Sequence, residues 1–489
     1  MIDDIRKSPL YTIVNPKSIA FFGASNNFGA MGSTCFASMK NLGFEGAVYP
    51  VHPKETEVQG YPAYASVLDL PETPDLAVLV MPTRLVCKTL EQCGRKGIRH
   101  AIVVSGGFRE VGGDGVALEK ELIQVTERYG IRFLGPNCIG VANPHHKLNT
   151  TFLHYEGSAG HIGIASQSGS FVTQMFNYLA RFQQGYSTAF SIGNGANIDL
   201  VDCLEYLGAC PNTKVIALYV EGIHRGRDFV ETARRVALKK PIVALYVGGS
   251  ETGRKAGFSH TGSMAGPDRL YDGIFRQCGI IRATSVTELY DYCRVLGALP
   301  ESGGRRTIIQ THSGGPGAAA ADALGREGLE LAEISKKTSE KLKELMPHTG
   351  SIGNPVDITF SKNPLDFFSA IPKILLQEEN ADMLLVYFLI SVEMATRPLK
   401  AMGMDETEAL AQAEKLMKDL GESFARLQRE CGKPVVGFSF RDLSEPVFQA
   451  LMAEGIPVFS DPKRAARALS ALSRYPRLRE KIRAAETAN

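Results

Sequence analysis

Nine cysteines are spread over 489 residues without one C-x-x-C pair. That spacing argues against a disulfide or zinc framework and for buried, reduced thiols in a reducing compartment. No window approaches the roughly 18 uninterrupted apolar residues that a membrane span requires. A basic excess is missing too, with 54 Lys and Arg against 52 Asp and Glu. Neither a nucleic-acid groove nor an anionic membrane surface is therefore expected as a partner. The opening run Met1-Ile2-Asp3-Asp4-Ile5-Arg6-Lys7 sets acids before bases, and no apolar core follows it. It does not read as a signal peptide, and the cytoplasm is the expected compartment. Most of the histidines are scattered without metal-ligand spacing, so no metal site is expected.

What remains is an ordinary globular composition, 44% hydrophobic and 22% charged. The length suggests roughly three domains. Short β-branched runs alternate with longer helical patterns nearly throughout, which predicts parallel α/β construction. The first part offers strands at Ser18–Gly23, Ala47–Val51, Leu76–Met81, His100–Val104 and Arg132–Leu134. Each ends in a turn former, and ligands of open parallel sheets gather at such carboxyl ends. Residues Asn143–Gly160 read as a connection into a second unit, and Glu301-Ser302-Gly303-Gly304 as an interdomain linker. The charged helix from Thr407 to Arg429 reads as a solvated face.

The second and third parts repeat each other. His161–Ser170 aligns by pattern with Thr307–Gly315, and Asn194–Asp199 with Gly353–Ile358. Lys240–Leu245 likewise aligns with Lys433–Phe438, and Gly279–Ala283 with Gly455–Phe459. Between the last two landmarks the second part holds a surplus, and that surplus contains Gly257-Phe258-Ser259-His260-Thr261-Gly262-Ser263. A histidine among small residues after a buried strand suits a group that receives and passes on an anion. We expect His260 to carry a phosphoryl group. Glu221 closes an apolar strand, where a carboxylate can hold one imidazole nitrogen and leave the other nucleophilic. Ser166-Gln167-Ser168-Gly169-Ser170 opens a helix expected at Phe171–Arg181; its amides and hydroxyls suit a phosphate, or a plain serine cap. His312 occupies the equivalent turn of the repeat and is expected to be structural or accessory.

At the first sheet, Gly23-Ala24-Ser25-Asn26-Asn27-Phe28-Gly29 reads as a turn from a strand into a helix that suits a phosphate cradle, or a plain structural turn. Its glycine spacing is not G-x-G-x-x-G, and no acid follows at Tyr49-Pro50-Val51-His52-Pro53-Lys54 to hold a ribose diol. Both facts weaken a nicotinamide dehydrogenase. Three more turns line the same edge: Met81-Pro82-Thr83, Ser105-Gly106-Gly107-Phe108, and Gly135-Pro136-Asn137-Cys138-Ile139-Gly140.

Taken together, these motifs resemble the α subunit of the ADP-forming (NDP-forming) acyl-CoA synthetases, in the succinyl-CoA synthetase superfamily. Gly314-Gly315-Pro316-Gly317 and Asn354-Pro355-Val356-Asp357 add to the likeness. The resemblance implies an α/β fold with a CoA-binding Rossmann-like domain over 1–145. Two flavodoxin-like domains follow over 146–302 and 303–489, the first with the phosphohistidine loop. It implies an acid–CoA ligase that interconverts acyl-CoA, phosphate and ADP with carboxylic acid, CoA and ATP. It assigns catalysis to His260 and Glu221, and phosphate binding to Ser166, Ser168, Gly169 and Ser170. CoA binding falls to Gly23, Ala24, Ser25, Asn26, Gly29, Pro53, Lys54, Met81, Pro82, Ser105, Gly107 and Asn137. No segment resembles an ATP-grasp domain, so ATP or ADP and Mg2+ are expected through a separate ATP-grasp β subunit in an α2β2 assembly. A CoA- or acyl-CoA-binding regulatory protein without turnover is the alternative. Asn194-Gly195-Ala196 departs from the pattern, with glycine where many relatives place a charge; acyl-substrate identity therefore stays open.

Overall fold

The computed structural model describes residues 4–155, 157–253, 266–359 and 363–487. Strands β1 (Ser18–Phe22), β2 (Ala47–Val51), β5 (Leu76–Leu79), β6 (His100–Val103) and β7 (Arg132–Leu134) form a parallel sheet ordered β2-β1-β5-β6-β7. A hairpin, β3 (Glu57–Val58) with β4 (Tyr61–Pro62), makes a small sheet of its own beside the end of β2. β1 and β5 are buried along their whole length. Such strands must be apolar on both faces, which is why they read as unbroken hydrophobic runs.

The second sheet is built from β10 (Ile162–Ser166), β11 (Tyr186–Ser191), β12 (Val215–Val220), β13 (Ile242–Tyr246) and β14 (Ile281–Ala283). Its order is β14-β13-β12-β10-β11, and two antiparallel strands, β8 (Val141–Asn143) and β9 (Leu148–Asn149), extend it beyond β11. The segment expected as a bare connection therefore begins with paired strands. They are too short to leave a periodic signal; the Thr150 hydroxyl stitches them by accepting from the Val141 amide at 2.9 Å.

The third sheet holds β15 (Arg306–Thr311), β16 (Glu330–Leu331), β17 (Val356–Asp357), β18 (Met383–Tyr387), β19 (Val435–Phe438) and β20 (Val458–Phe459). It runs β16-β15-β18-β19-β20, with β17 also paired to β15. Numbered in chain order, the parallel strands of all three sheets share the order 2-1-3-4-5, with β16 and β17 together in second place in the last. This is a doubly wound topology, whose crevice opens where the winding reverses, between the first and third strands. The repeat seen in the sequence is thus a repeat of topology.

By contacts the chain divides into two compact units, one of residues 1–180, 184–289 and 485–489, the other of 181–183 and 290–484. The first unit holds the first two sheets. They join where Ile198, after β11, bridges to Leu134 and donates to the Phe133 carbonyl at 3.2 Å. In the second unit, Arg294 is buried with its guanidinium between the Phe182 and Phe459 rings, at 4.2 and 4.7 Å. Glu301 of the expected linker is forked by Arg479 at 2.8 and 2.7 Å. The charged helix runs over Glu406–Cys431 and differs from the expectation: Ala409, Ala413, Met417, Gly421, Phe424 and Ala425 are buried. Their three- and four-residue spacing makes one face a core face despite the charge elsewhere.

Candidate active site

The first cradle is built by close packing of backbone. Gly23 follows β1 at φ +93°, and a Cβ there would strike the Val80 carbonyl. A Cβ at Gly32 would in turn strike Gly23 itself, so the helix Met31–Leu42 starts hard against the turn. No side chain caps that helix, which suits a start that receives a phosphate. Ser25 is locked to Ser33, whose hydroxyl accepts from the Ser25 amide at 3.0 Å and donates to its carbonyl at 2.9 Å. Asn26 spends its side chain on structure: Nδ2 donates to Glu55 and the Glu57 carbonyl, and Oδ1 accepts from the Gln59 amide. The Gly29 amide donates to Asn27 Oδ1 at 3.0 Å. His52 Nδ1 accepts from the Lys54 and Glu55 amides, which shapes the Pro53-Lys54 turn and leaves Lys54 exposed.

The other residues expected to bind CoA come together as adjoining strand exits. The Ser105 hydroxyl donates to the Met81 carbonyl at 2.6 Å and accepts from its amide, which pairs the Met81-Pro82 turn with the next one. The Gly107 amide donates to Glu110 Oε1 at 2.5 Å, and the Asn137 amide donates to the Ser105 carbonyl at 2.9 Å. Ala24 is buried behind this edge.

At the second sheet, the winding reverses between β10 and β12, and their exits carry the Ser166–Ser170 turn and Glu221 side by side. The Ser166 hydroxyl donates to the Ser168 carbonyl at 2.8 Å and accepts from the Ser168 amide at 3.2 Å. Ser166 is therefore spent on holding the turn. Gly169 opens the helix Gly169–Ala180, two residues earlier than expected, and Ser170 is exposed at its start. Gln167, which the sequence reading left without a role, clasps the two exits together. Its Oε1 accepts from the Glu221 amide at 2.7 Å and the Gly222 amide at 3.0 Å, and its Nε2 donates to the Gly222 carbonyl at 2.9 Å.

His260 lies outside the described residues. Gly266 is fastened to this edge: the Tyr246 hydroxyl donates to its carbonyl at 2.7 Å. Tyr271 stacks on Tyr246 at 3.6 Å, and its hydroxyl accepts from the Ile223 amide, two residues beyond Glu221. Burial, with Glu221 nearby, pushes the Tyr219 phenol up to about 12.

The third sheet repeats the local chemistry with a different outcome. The Thr311 hydroxyl donates to the Ser313 carbonyl at 2.8 Å and accepts from its amide at 3.0 Å, as Ser166 does with Ser168. His312, at the place of Gln167, stacks on Phe367 at 3.7 Å, and burial lowers its imidazole to about 4. Among the described residues, no group of three His, Cys, Asp or Glu is placed to hold a metal ion.

The comparisons follow this geometry along the chain. Residues 17–144 match the CoA binding domain, 159–296 the succinyl-CoA ligase like flavodoxin domain, and 307–420 the Ligase-CoA domain. The acetate–CoA ligase (ADP-forming) II subunit alpha of Pyrococcus furiosus is 37% identical over 459 residues, which are 94% of this chain and 96% of that one. The acetate–CoA ligase (ADP-forming) I of Archaeoglobus fulgidus is 40% identical over 475 residues, 96% of this chain but only 64% of the relative. Among solved structures, acetyl-coenzyme A synthetase 1 of Ca. Korarchaeum cryptofilum, in complex with phosphate and ADP, superposes with a TM-score of 0.86. It is 32% identical and covers 97% of this chain and 98% of that one. Fold and matches together define a CoA-binding domain followed by succinyl-CoA-ligase-like domains. The chain belongs to the ADP-forming acyl-CoA synthetases and corresponds to their α-subunit part along nearly its whole length. Among the described residues, no helix is long and apolar enough to cross a membrane.

Proposed function

We propose that this chain is the α subunit of an acid–CoA ligase, ADP-forming, working through a phosphohistidine at His260. One observation carries the reading: Gln167 fastens the phosphate-type turn Ser166–Ser170 to the Glu221 exit at the crevice of the second sheet. The expected domains at 1–145, 146–302 and 303–489 are part of the same proposal, as is a cytoplasmic location.

Acyl-CoA lies with its phosphates toward the Gly23–Gly29 turn and its thioester toward Asn137. A phosphate oxygen attacks the thioester carbonyl, the carbon–sulfur bond breaks, and CoA leaves as thiolate. The acyl phosphate then meets the neutral His260 imidazole; its nitrogen bonds to phosphorus, and the carboxylate departs. Glu221 holds the other ring nitrogen and offsets the charge that develops on the ring. The helix start at Gly169-Ser170 places backbone amides where the equatorial phosphoryl oxygens gather charge, commonly the largest contribution to such a transfer. Phosphohistidine finally passes its phosphoryl group to ADP on a separate ATP-grasp β subunit, which supplies Mg2+, in an α2β2 assembly.

Acetate heads the acids to be tested, since relatives named above are acetate–CoA ligases. His260→Ala is expected to abolish both acid-labile ³²P labelling and CoA-dependent ADP release in the presence of the β subunit. Retained labelling would move the carrier elsewhere, first to His312.

A further inference from the structure

We propose that Asn194 is a positioning residue for the thioester half of the reaction, locking the CoA-side turns of the first sheet to the phosphate turn of the second. The inference rests on the function proposed above and assigns a part of it to a residue outside the phosphohistidine machinery. Asn194 is buried, 3% exposed, and both N–H donors and the oxygen of its amide group are bonded. Nδ2 donates to Glu110 Oε2 at 2.7 Å and to Glu119 Oε2 at 2.8 Å, and Oδ1 accepts from Asn137 Nδ2 at 3.3 Å. Its backbone is used as well: the amide donates to the Pro136 carbonyl at 2.9 Å, and the carbonyl accepts from Arg109.

Glu110, Asn137 and Pro136 belong to CoA-side turns, and Glu119 to the helix Asp114–Tyr129 that follows the first of them. Glu110 gathers the Gly107 and Phe108 amides after β6, and Asn137 stands after β7. On the other side, the same stretch reaches the phosphate turn, since the Ile192 amide donates to the Ser166 carbonyl at 2.8 Å. The Ser191 hydroxyl accepts from the Ile139 amide at 3.0 Å and completes the tie. Gly193 makes the close approach possible: at φ +61°, a Cβ would run into the Pro136 and Asn137 carbonyls. Residues 191–194 are thus a shared wall between the two edges.

Two carboxylates converge on one nitrogen, and an amide supplies both donors without adding charge. The charged groups facing this point are Arg109, whose Nε lies 3.5 Å from Glu119, the acids Glu110 and Glu119, and His224, which feels Arg109 and Glu119. Burial pushes the Glu110 carboxyl up, but bonds from Asn194 and the Gly107 and Phe108 amides outweigh it and hold the group low. An aspartate at 194 would set a third carboxylate beside Glu119 and the low-held Glu110.

The two donors of phosphate separate this role from the rest of the site. On this reading, acetyl [³²P]phosphate should label the full chain without using the CoA edge, whereas acetyl-CoA with ³²P-phosphate must pass through it. For Asn194→Asp, labelling from acetyl phosphate is expected to stay within about twofold of the unsubstituted chain. Labelling from acetyl-CoA and phosphate is expected to fall at least about tenfold, the scale of a misplaced reactant. That deficit should shrink as pH falls from about 8 to about 6, as the crowded new carboxyl takes up a proton and regains a donor. Asn194→Ala should show the same split without the pH dependence. Equal rates from both donors, or parallel loss of both, would overturn the inference. An unsubstituted chain labelled by neither donor would overturn the phosphohistidine reading itself, and this inference with it.

Discussion

The second and third sheets place the same device at the same point of the winding and use it differently. In each, a hydroxyl at the strand's end bridges to the residue two further on and opens a helix: Ser166 to Ser168, Thr311 to Ser313. The residue between them decides the outcome. Gln167 reaches across and grips the exit that carries Glu221, whereas His312 folds onto Phe367. A scaffold used twice keeps its turn chemistry in both copies; the contact of one intervening side chain distinguishes a coupled edge from a packed one.

The largest expected effects lie on the coupled side. Glu221→Gln should slow phosphoenzyme formation by about 10²-fold or more, the ordinary range for a misheld acid–base partner, measured by rapid-quench labelling. Gln167→Ala removes three hydrogen bonds between the two exits and should lower the same rate by about 10- to 100-fold. His312→Ala, its positional counterpart, should leave that rate within about threefold; a loss as large as that of Gln167→Ala would erase the distinction between the copies.

The helix-opening glycines give a smaller contrast. A Cβ at Gly169 would sit 2.9 Å from Ile139 Cγ2, while one at Gly314 would find only Asp357 Oδ2, at 3.5 Å. Gly169→Ala should therefore destabilise by about 1–2 kcal/mol through crowding. Gly314→Ala should be neutral or stabilising by up to about 1 kcal/mol, because alanine favours the helix. Denaturant midpoints of the two variants would check both.

The smallest effect is one of pH. Burial lowers both the His312 and the His161 imidazoles to about 4, against 6.5 when unfolded, so each is neutral in the fold. The stability they contribute is present above about pH 6.5 and is lost as pH falls toward 4, because the unfolded chain binds the proton first. His312→Gln should flatten the acid limb of the stability curve by about 1–2 kcal/mol, and His161→Gln should act in the same direction.

Much of this was legible in the chain because parallel sheets announce themselves. Ala47–Val51 and Arg132–Leu134 are strands over the expected residues, and the strand expected over Leu76–Met81 ends two residues earlier, at Leu79. Glycine-rich exits were readable as well, since only a few residues tolerate such backbone. Long-range side-chain contacts were not. Nothing in the spacing around Gln167 or Asn194 says that partners 54 and 84 residues away close onto them. The helix Glu406–Cys431 misled for a related reason, as its charges hid a buried stripe.

The central claim is that the second-sheet crevice, and not its twin, carries the phosphoryl group. Mapping the phosphorylated peptide by mass spectrometry, after brief exposure of the full chain to acetyl phosphate, tests it most directly. The account predicts the modification on the peptide containing His260. The same modification on the peptide containing His312, with His260 unmodified, would contradict it.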